Sequence, residues 1–384
     1  MLHALFILIA TVGVQDEAPT PAASSADIAR LVEQLGDKKF RVRQQATAKL
    51  KSLGGKAVPS LRKAVTNPNS EISDRATSVL GYVLGTAARL KFLKEPSVAN
   101  AKQVKAWSRL RKLVVSDEAA IAQLKSWLEA EPRIFEAGVM GGDVLTNELR
   151  DRASRLSDYK RRPPEINAVE EARVLASVSA IVFVATDPQV GLTRVGQSAV
   201  ESVFKLGVTR RALAPAVGNN AVMRTLAGVW IGQPGSQYTK LQLCLDFGLP
   251  EGLAMAESIV RSKARGPRME YALHLIGKLG GKKQVKLLQS QLSNDVRLSR
   301  RQVRAVQRDG RPSKSNYEYQ VRDIALAMLW HLHEEDPAKH GFDSNRVRRH
   351  PRFVFAQKTL GFSSDADREA AFAEWNEFAK KTGI

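Results

Sequence analysis

Three of the six histidines lie close together in HLHEEDPAKH, as His331, His333 and His340, beside Glu334, Glu335 and Asp336. Imidazoles and carboxylates at short spacing are the raw material of a metal centre. This spacing does not suit one. Residues two apart point to different sides of a helix, and Pro337 ends the helix before His340 can return to a shared face. An H-E-x-x-H arrangement would bring two rings together, and it is not what stands here. We expect a polar helix end at this point, with no metal and no cofactor. Ser60 and Lys63 make an S-x-x-K spacing, in which a lysine activates a serine, but no S-D-N element accompanies it. Ser60 also follows Pro59 at the start of a helical stretch, which reads as a first turn. The glycine pairs in GGK at 54–56 and in GKLGGKK lack the spacing and the terminal Ser or Thr of a phosphate loop, and read as helix ends. Cys244 is the one cysteine, so an internal disulfide is excluded. Within LQLCLDFG it reads as a buried thiol. No set of residues specifies a reaction, and the expectation is a protein that is not an enzyme.

The elements are easier to read than the chemistry. In VRQQATAKLKSLG, Val42, Ala46, Leu50 and Leu53 fall at steps of 4, 4 and 3 along one side of a helix, with Gly54 able to end it. The stripe recurs. Ile72, Ala76, Leu80 and Val83 repeat it 30 residues later, a period characteristic of solenoids. In VRDIALAMLWHL, Val321, Arg322, Ala325, Leu329 and Leu332 match Val42, Arg43, Ala46, Leu50 and Leu53 position for position. A further copy keeps Ala272, Ile276, Leu279 and Gly280, with Arg268 where Val42 would be.

With Asp37 ahead of Val42 and Arg43, Ala46 three residues on, and Leu53-Gly54 at the end, the chain resembles HEAT-repeat proteins of the PBS-lyase-like variety. The resemblance implies an all-α fold, an α-solenoid of HEAT-like helical hairpins with a less regular helical middle. In such a stack the Ala lets neighbouring helices approach while Val and Leu fill the groove. It also implies that Asp37 and Arg43 tie neighbouring turns together. As a whole, the chain resembles the exported HEAT-repeat proteins of planctomycete bacteria, which implies fold and compartment and no mechanism.

Residues 2–14, LHALFILIATVGV, read as the apolar core of a signal peptide, too short to span a bilayer. The expected organisation is a signal peptide at 1–15 and a flexible linker at 16–26, then HEAT-like repeats at 27–95. A helical region at 96–165 follows, with two helices between 97 and 131, and then a helical middle domain at 166–250. HEAT-like repeats with a basic insertion occupy 251–335, and a loop and capping helix 336–384. Export places the protein in the periplasm or outside the cell, with no integral membrane segment once the leader is removed.

Lys and Arg number 59 against 39 Asp and Glu, a net charge of +20 that favours partners of negative charge. Much of the surplus is local. From Ser258 to Lys314 there are fifteen Lys or Arg against three acids, Glu270, Asp295 and Asp309. The expected binding residues are Arg297, Arg300, Arg301, Arg304, Arg308, Arg311 and Lys314, on a helix running into a Gly-Pro loop. A second basic stretch, 88–112, interleaves Trp107 with Lys102, Lys105 and Arg109. Together these point to a non-enzymatic scaffold that binds an acidic protein or an anionic polymer. The alternative, for a chain that is not exported, is a nucleic-acid-binding protein similar to helical-repeat DNA glycosylases.

Overall fold

A helix leaves its first backbone N–H groups without partners, so it starts best where a side chain can accept them. Ser24 does so in the computed structural model: its hydroxyl accepts from Asp27 N at 3.2 Å, and the Asp27 carboxylate reaches back to Ser24 N at 3.2 Å. The structure describes residues 24–158, 167–214, 220–262, 266–306 and 312–384, with 301–306 and 312–316 described by their backbone. The expected leader and the basic double-proline stretch at 159–166 lie outside these residues. The described part of the expected linker, 24–26, is already the cap and first turn of a helix. The chain divides into two compact units, 1–91 and 92–384. Among the described residues the fold is all-α apart from one two-stranded hairpin.

The first unit holds α1 (Ser25–Glu33), α2 (Phe40–Leu53), α3 (Val58–Ala64) and all but the last three residues of α4 (Ser70–Lys94). The recurring stripe supplies its core, with Ala46, Leu50, Ala76 and Val83 buried beside Leu35, Leu61 and Val79. Val42, Leu53, Ile72 and Leu80 line its edge, half-buried. Gly54, at φ 57°, ends α2 in the left-handed region. Gly36 marks a close crossing, since a Cβ there would meet Ile72 Cγ1 at 2.6 Å. Arg43 does tie turns together, although not through the Asp37 carboxylate. It donates to the backbone oxygens of Asp37 and Lys38 at 2.8 and 3.1 Å, and its Nε lies 3.0 Å from Glu71 of α4. The Asp37 carboxylate instead accepts the Lys39 N–H at 2.7 Å.

The second unit opens with short helical turns, α5 (Val98–Ala101) and α6 (Trp107–Leu110), then α7 (Asp117–Ala130), α8 (Pro132–Met140) and α9 (Gly142–Ser157). The single helix expected ahead of α7 is broken, because the N–H groups at 103, 104 and 107 bond three residues back. Its apolar residues Val104, Trp107, Leu110 and Val114 are buried all the same. Helix α10 (Ala168–Ala185) runs through the middle, buried at every residue from Ala176 to Ala185. It packs against α7, α8 and α9's neighbour α11 (Arg194–Val203), and against α12 (Gly207–Leu213) and α13 (Ala221–Gly232). Its polar groups are satisfied: Ser179 Oγ accepts from Trp127 Nε1 at 2.7 Å, and Ser177 Oγ from Arg152 Nη2 at 3.1 Å. Among the described residues no helix is long and apolar enough to cross a membrane.

Next come α14 (Gln237–Phe247), α15 (Leu253–Arg261), α16 (Pro267–Leu279), α17 (Val285–Gln289), α18 (Val321–Leu332) and α19 (Asp365–Thr382). Helix α18 is the hub of this end, against α16, α17 and α19. Nine of its twelve residues are buried. Trp375 of α19 sets its ring edge on Trp330 at 4.9 Å. The stretches expected as separate segments from 96 onward therefore share one core.

Between α17 and α18 the structure overturns the expected helix. Two antiparallel strands form instead, β1 (Arg297–Val306) with β2 (Pro312–Gln320), with a register shift near Arg297. The reason lies in the returning strand. Tyr317 and Tyr319 alternate inward, each 1% exposed, with half-buried Glu318 between them, which is strand periodicity. Pro312, with no N–H to give, takes the first position of β2.

Candidate functional site

Arg297, Arg300, Arg301, Arg304 and Lys314 of the expected binding residues lie on the hairpin, and its base is well fixed. Tyr317 Oη accepts the Gly361 N–H at 2.7 Å, and Tyr319 Oη donates to Glu270 Oε1 of α16 at 2.9 Å. Glu318 exchanges backbone hydrogen bonds with Phe362 at 2.9 and 3.0 Å, so β2 is held on its outer edge as well. Burial raises the Glu270 carboxyl above its ordinary value, and burial together with Glu270 raises the Tyr319 hydroxyl, so the contact keeps its proton. β1 pairs with β2 alone among the described residues.

Backbone register sets Arg300 opposite Glu318, Arg301 opposite Tyr317 and Arg304 opposite Lys314. Arg300 is exposed. Arg297 is turned to local use, its Nε 2.6 Å from Glu318 Oε1. Partial burial pushes the Glu318 carboxyl upward, and the hydrogen bonds from Arg297 and Gln320 overcome that and bring it below its ordinary value. Arg308 and Arg311 lie outside the described residues. The structure thus puts four arginines on one strand, and one of them is already neutralised.

The second basic stretch does not form a matching surface. Lys102 and Lys105 are exposed, but Arg109 lies 3.7 Å over the Phe183 ring and 3.1 Å from Asp187. Trp107 is 6% exposed, in the core, and cannot offer its face to a base.

The three clustered histidines go to three environments. His331 Nδ1 meets Arg349 at 3.1 Å, His333 packs between Trp375 and Phe378, and His340 stacks on Trp330 at 3.8 Å with Glu374 2.7 Å from its Nδ1. Among the described residues no three His, Cys, Asp or Glu could hold a metal ion. Cys244 is buried, and burial pushes its thiol up to about 12, far from a thiolate. Ser60 and Lys63 sit on the wetter side of α3.

The structure also shows a site that the sequence did not suggest. A cavity of about 190 Å³ opens beside α11, α13 and α14, with Phe204, Trp230 and Leu243 as its apolar lining. Asp246 binds two arginines from different segments, Arg210 at 3.0 Å and Arg352 at 2.5 Å. Lys240, 2% exposed, reaches the same cavity, its Nζ held by the carbonyls of Ile231, Gln233 and Pro234 at the end of α13. Burial lowers the Lys240 ammonium to about 8. The one available signal was the position of Lys240 on a stripe with Cys244 and Phe247, where a lysine interrupts apolar spacing.

Comparison with protein-family models, with curated proteins and with solved structures finds no match.

Proposed function

We propose that this chain is a non-enzymatic binding scaffold, an exported α-solenoid whose basic hairpin holds an acidic protein or an anionic polymer. The observation that carries the reading is β1, a strand with Arg297, Arg300, Arg301 and Arg304 and no acid, paired on one side only among the described residues. Tyr317 and Tyr319 anchor β2, the strand that β1 pairs with, and a fixed partner strand would lower the ordering cost of binding. HEAT-like stacking would supply the extended surface around it.

The test is binding of polyglutamate, heparin and duplex DNA to the purified chain across a salt series. Affinity should fall steeply as salt rises, and the triple variant Arg300→Glu/Arg301→Glu/Arg304→Glu should lose at least tenfold more at low salt with its helical signal intact. Binding that ignores salt, or no binding to any of the three, refutes the reading. Preference for DNA by a chain recovered uncleaved from the cytoplasm would turn it to the nucleic-acid alternative.

A further inference from the structure

The cavity beside α14 has the properties of a prepared anion site, at a place distinct from the hairpin. Four cations line it, Lys205, Arg210, Lys240 and Arg352, against two carboxylates, Glu201 and Asp246. Asp246 is 12% exposed and engages both arginines, so two guanidinium groups from separate segments are held side by side in advance. Each guanidinium has five N–H donors, and one carboxylate cannot occupy ten. The remaining fork geometry suits a planar, bidentate acceptor. Lys240 adds charge at the wall from a position fixed by three carbonyls.

The charge balance and the lining narrow the ligand further. Phosphate could meet the surplus of cations but has no apolar body for the rest of the wall, whereas a monocarboxylate on an apolar ring meets both. Phe204, Trp230 and Leu243 give the apolar part of the wall. The volume, about 190 Å³, exceeds the ~150 Å³ of an engineered cavity that holds benzene. We propose that this cavity binds a small monocarboxylate on a ring-sized apolar body, with its carboxylate gripped by Arg210 and Arg352. An anion placed there also restores to the Lys240 ammonium some of the stabilisation that burial removes.

Benzoate is the probe, with benzamide as its neutral isostere and inorganic phosphate as the competing anion, each titrated into the full chain while the thermal midpoint is followed. Benzoate should raise the midpoint saturably, and benzamide and phosphate should not. Arg210→Gln is the decisive variant, because its side chain is 51% exposed and its loss leaves the core intact. It should weaken benzoate at least tenfold while keeping the salt-sensitive polyanion binding assigned to the hairpin. Arg300→Gln should leave benzoate binding unchanged. No saturable shift with benzoate, an equal shift with benzamide or phosphate, or wild-type affinity in Arg210→Gln overturns the proposal. Loss of polyanion binding by the hairpin variants alone bears on the scaffold reading and leaves this one standing.

Discussion

Helices α2 and α18 carry the same stripe and live in different surroundings. Ala46 and Leu50 in one, Ala325 and Leu329 in the other, are all fully buried. What differs is everything off the stripe. Gln44, Gln45 and Lys49 leave the far side of α2 exposed, while Ile324, Leu326, Met328 and Trp330 bury α18 nearly all round. The stripe says where a helix touches its first neighbour, and the residues between stripe positions decide how many further neighbours it takes. The conserved spacing of Arg in the two copies follows the same division. Arg43 binds carbonyls and Glu71, whereas Arg322 bonds Gln320 at 2.6 Å and lies 5.7 Å over the Phe372 ring.

The comparison breaks most sharply at Asp323, whose counterpart in α2 is the exposed Gln44. Asp323 is fully buried, with Arg368 Nε at 2.9 Å and Arg368 itself 3% exposed. Asp323→Asn leaves the buried arginine with only the exposed Asp365 carboxylate, 2.6 Å from its Nη1, as counter-charge and should cost the second unit about 3 kcal/mol. Pairing Asp323→Leu with Arg368→Met should recover most of that, while Gln44→Ala should stay within about 0.5 kcal/mol. Urea unfolding reads all three, and a small effect of Asp323→Asn would show that the pair is not holding α19 to α18.

A reciprocal swap sharpens the contrast at smaller cost. Leu326 is fully buried, and its counterpart Thr47 is half-buried with its hydroxyl on the Arg43 carbonyl at 2.9 Å. Leu326→Thr should destabilise by about 2–4 kcal/mol through the lost side-chain volume and a buried hydroxyl. Thr47→Leu should change stability by about 0.5 kcal/mol or less. Equal costs in the same unfolding experiment would mean that the two helices are not differently surrounded.

Acid distinguishes the units next. His274 in α16 is fully buried with neither ring nitrogen hydrogen-bonded, and burial, with a smaller push from His350, lowers it to about 3. Below pH 6.5 the unfolded chain binds the proton that the folded unit refuses, so this residue removes about 1.4 kcal/mol per pH unit. Asp323 acts with the opposite sign. Burial, only partly offset by Arg368, raises it to about 6, so between its ordinary 3.8 and that value the folded state holds the extra proton and stability falls as pH rises. Comparing wild type with His274→Leu cancels the Asp323 contribution. From pH 7.5 to 5.5 the variant should gain about 1.4 kcal/mol relative to wild type, and a constant difference would refute the assignment. The first unit has no histidine among its described residues and should show no such change.

The stripes, the turn at Gly54, and the burial of Cys244 could be read from local spacing, because a helix that buries one side must repeat its apolar residues every three or four positions. The hairpin could not. Arg, Gln and Ala in RRQVRAVQR favour a helix locally, and what overrides them is the anchoring of Tyr317 to Gly361 and of Tyr319 to Glu270, contacts far apart along the chain. The cavity was hidden for a related reason. Arg210, Asp246 and Arg352 each look like ordinary surface charge until three segments bring them together. Of the expected binding residues, the basic tract itself was legible, while the loss of Arg297 to Glu318 needed the strand register.

The cations seated on helix ends have a bearing on how this sequence can drift. Arg224 donates to the carbonyls of Leu213, Phe247 and Gly248, and Lys278 to those of Leu245, Pro351 and Arg352, as Lys240 does at the end of α13. Surface lysines can be traded among positions over evolutionary time with the overall charge unchanged. These three are constrained by position, because each is tied to a set of backbone carbonyls at its own place in the fold. Two descendants of this chain could therefore share an isoelectric point and differ in every solvent-facing charge, yet both would keep a long basic side chain at 224, 240 and 278.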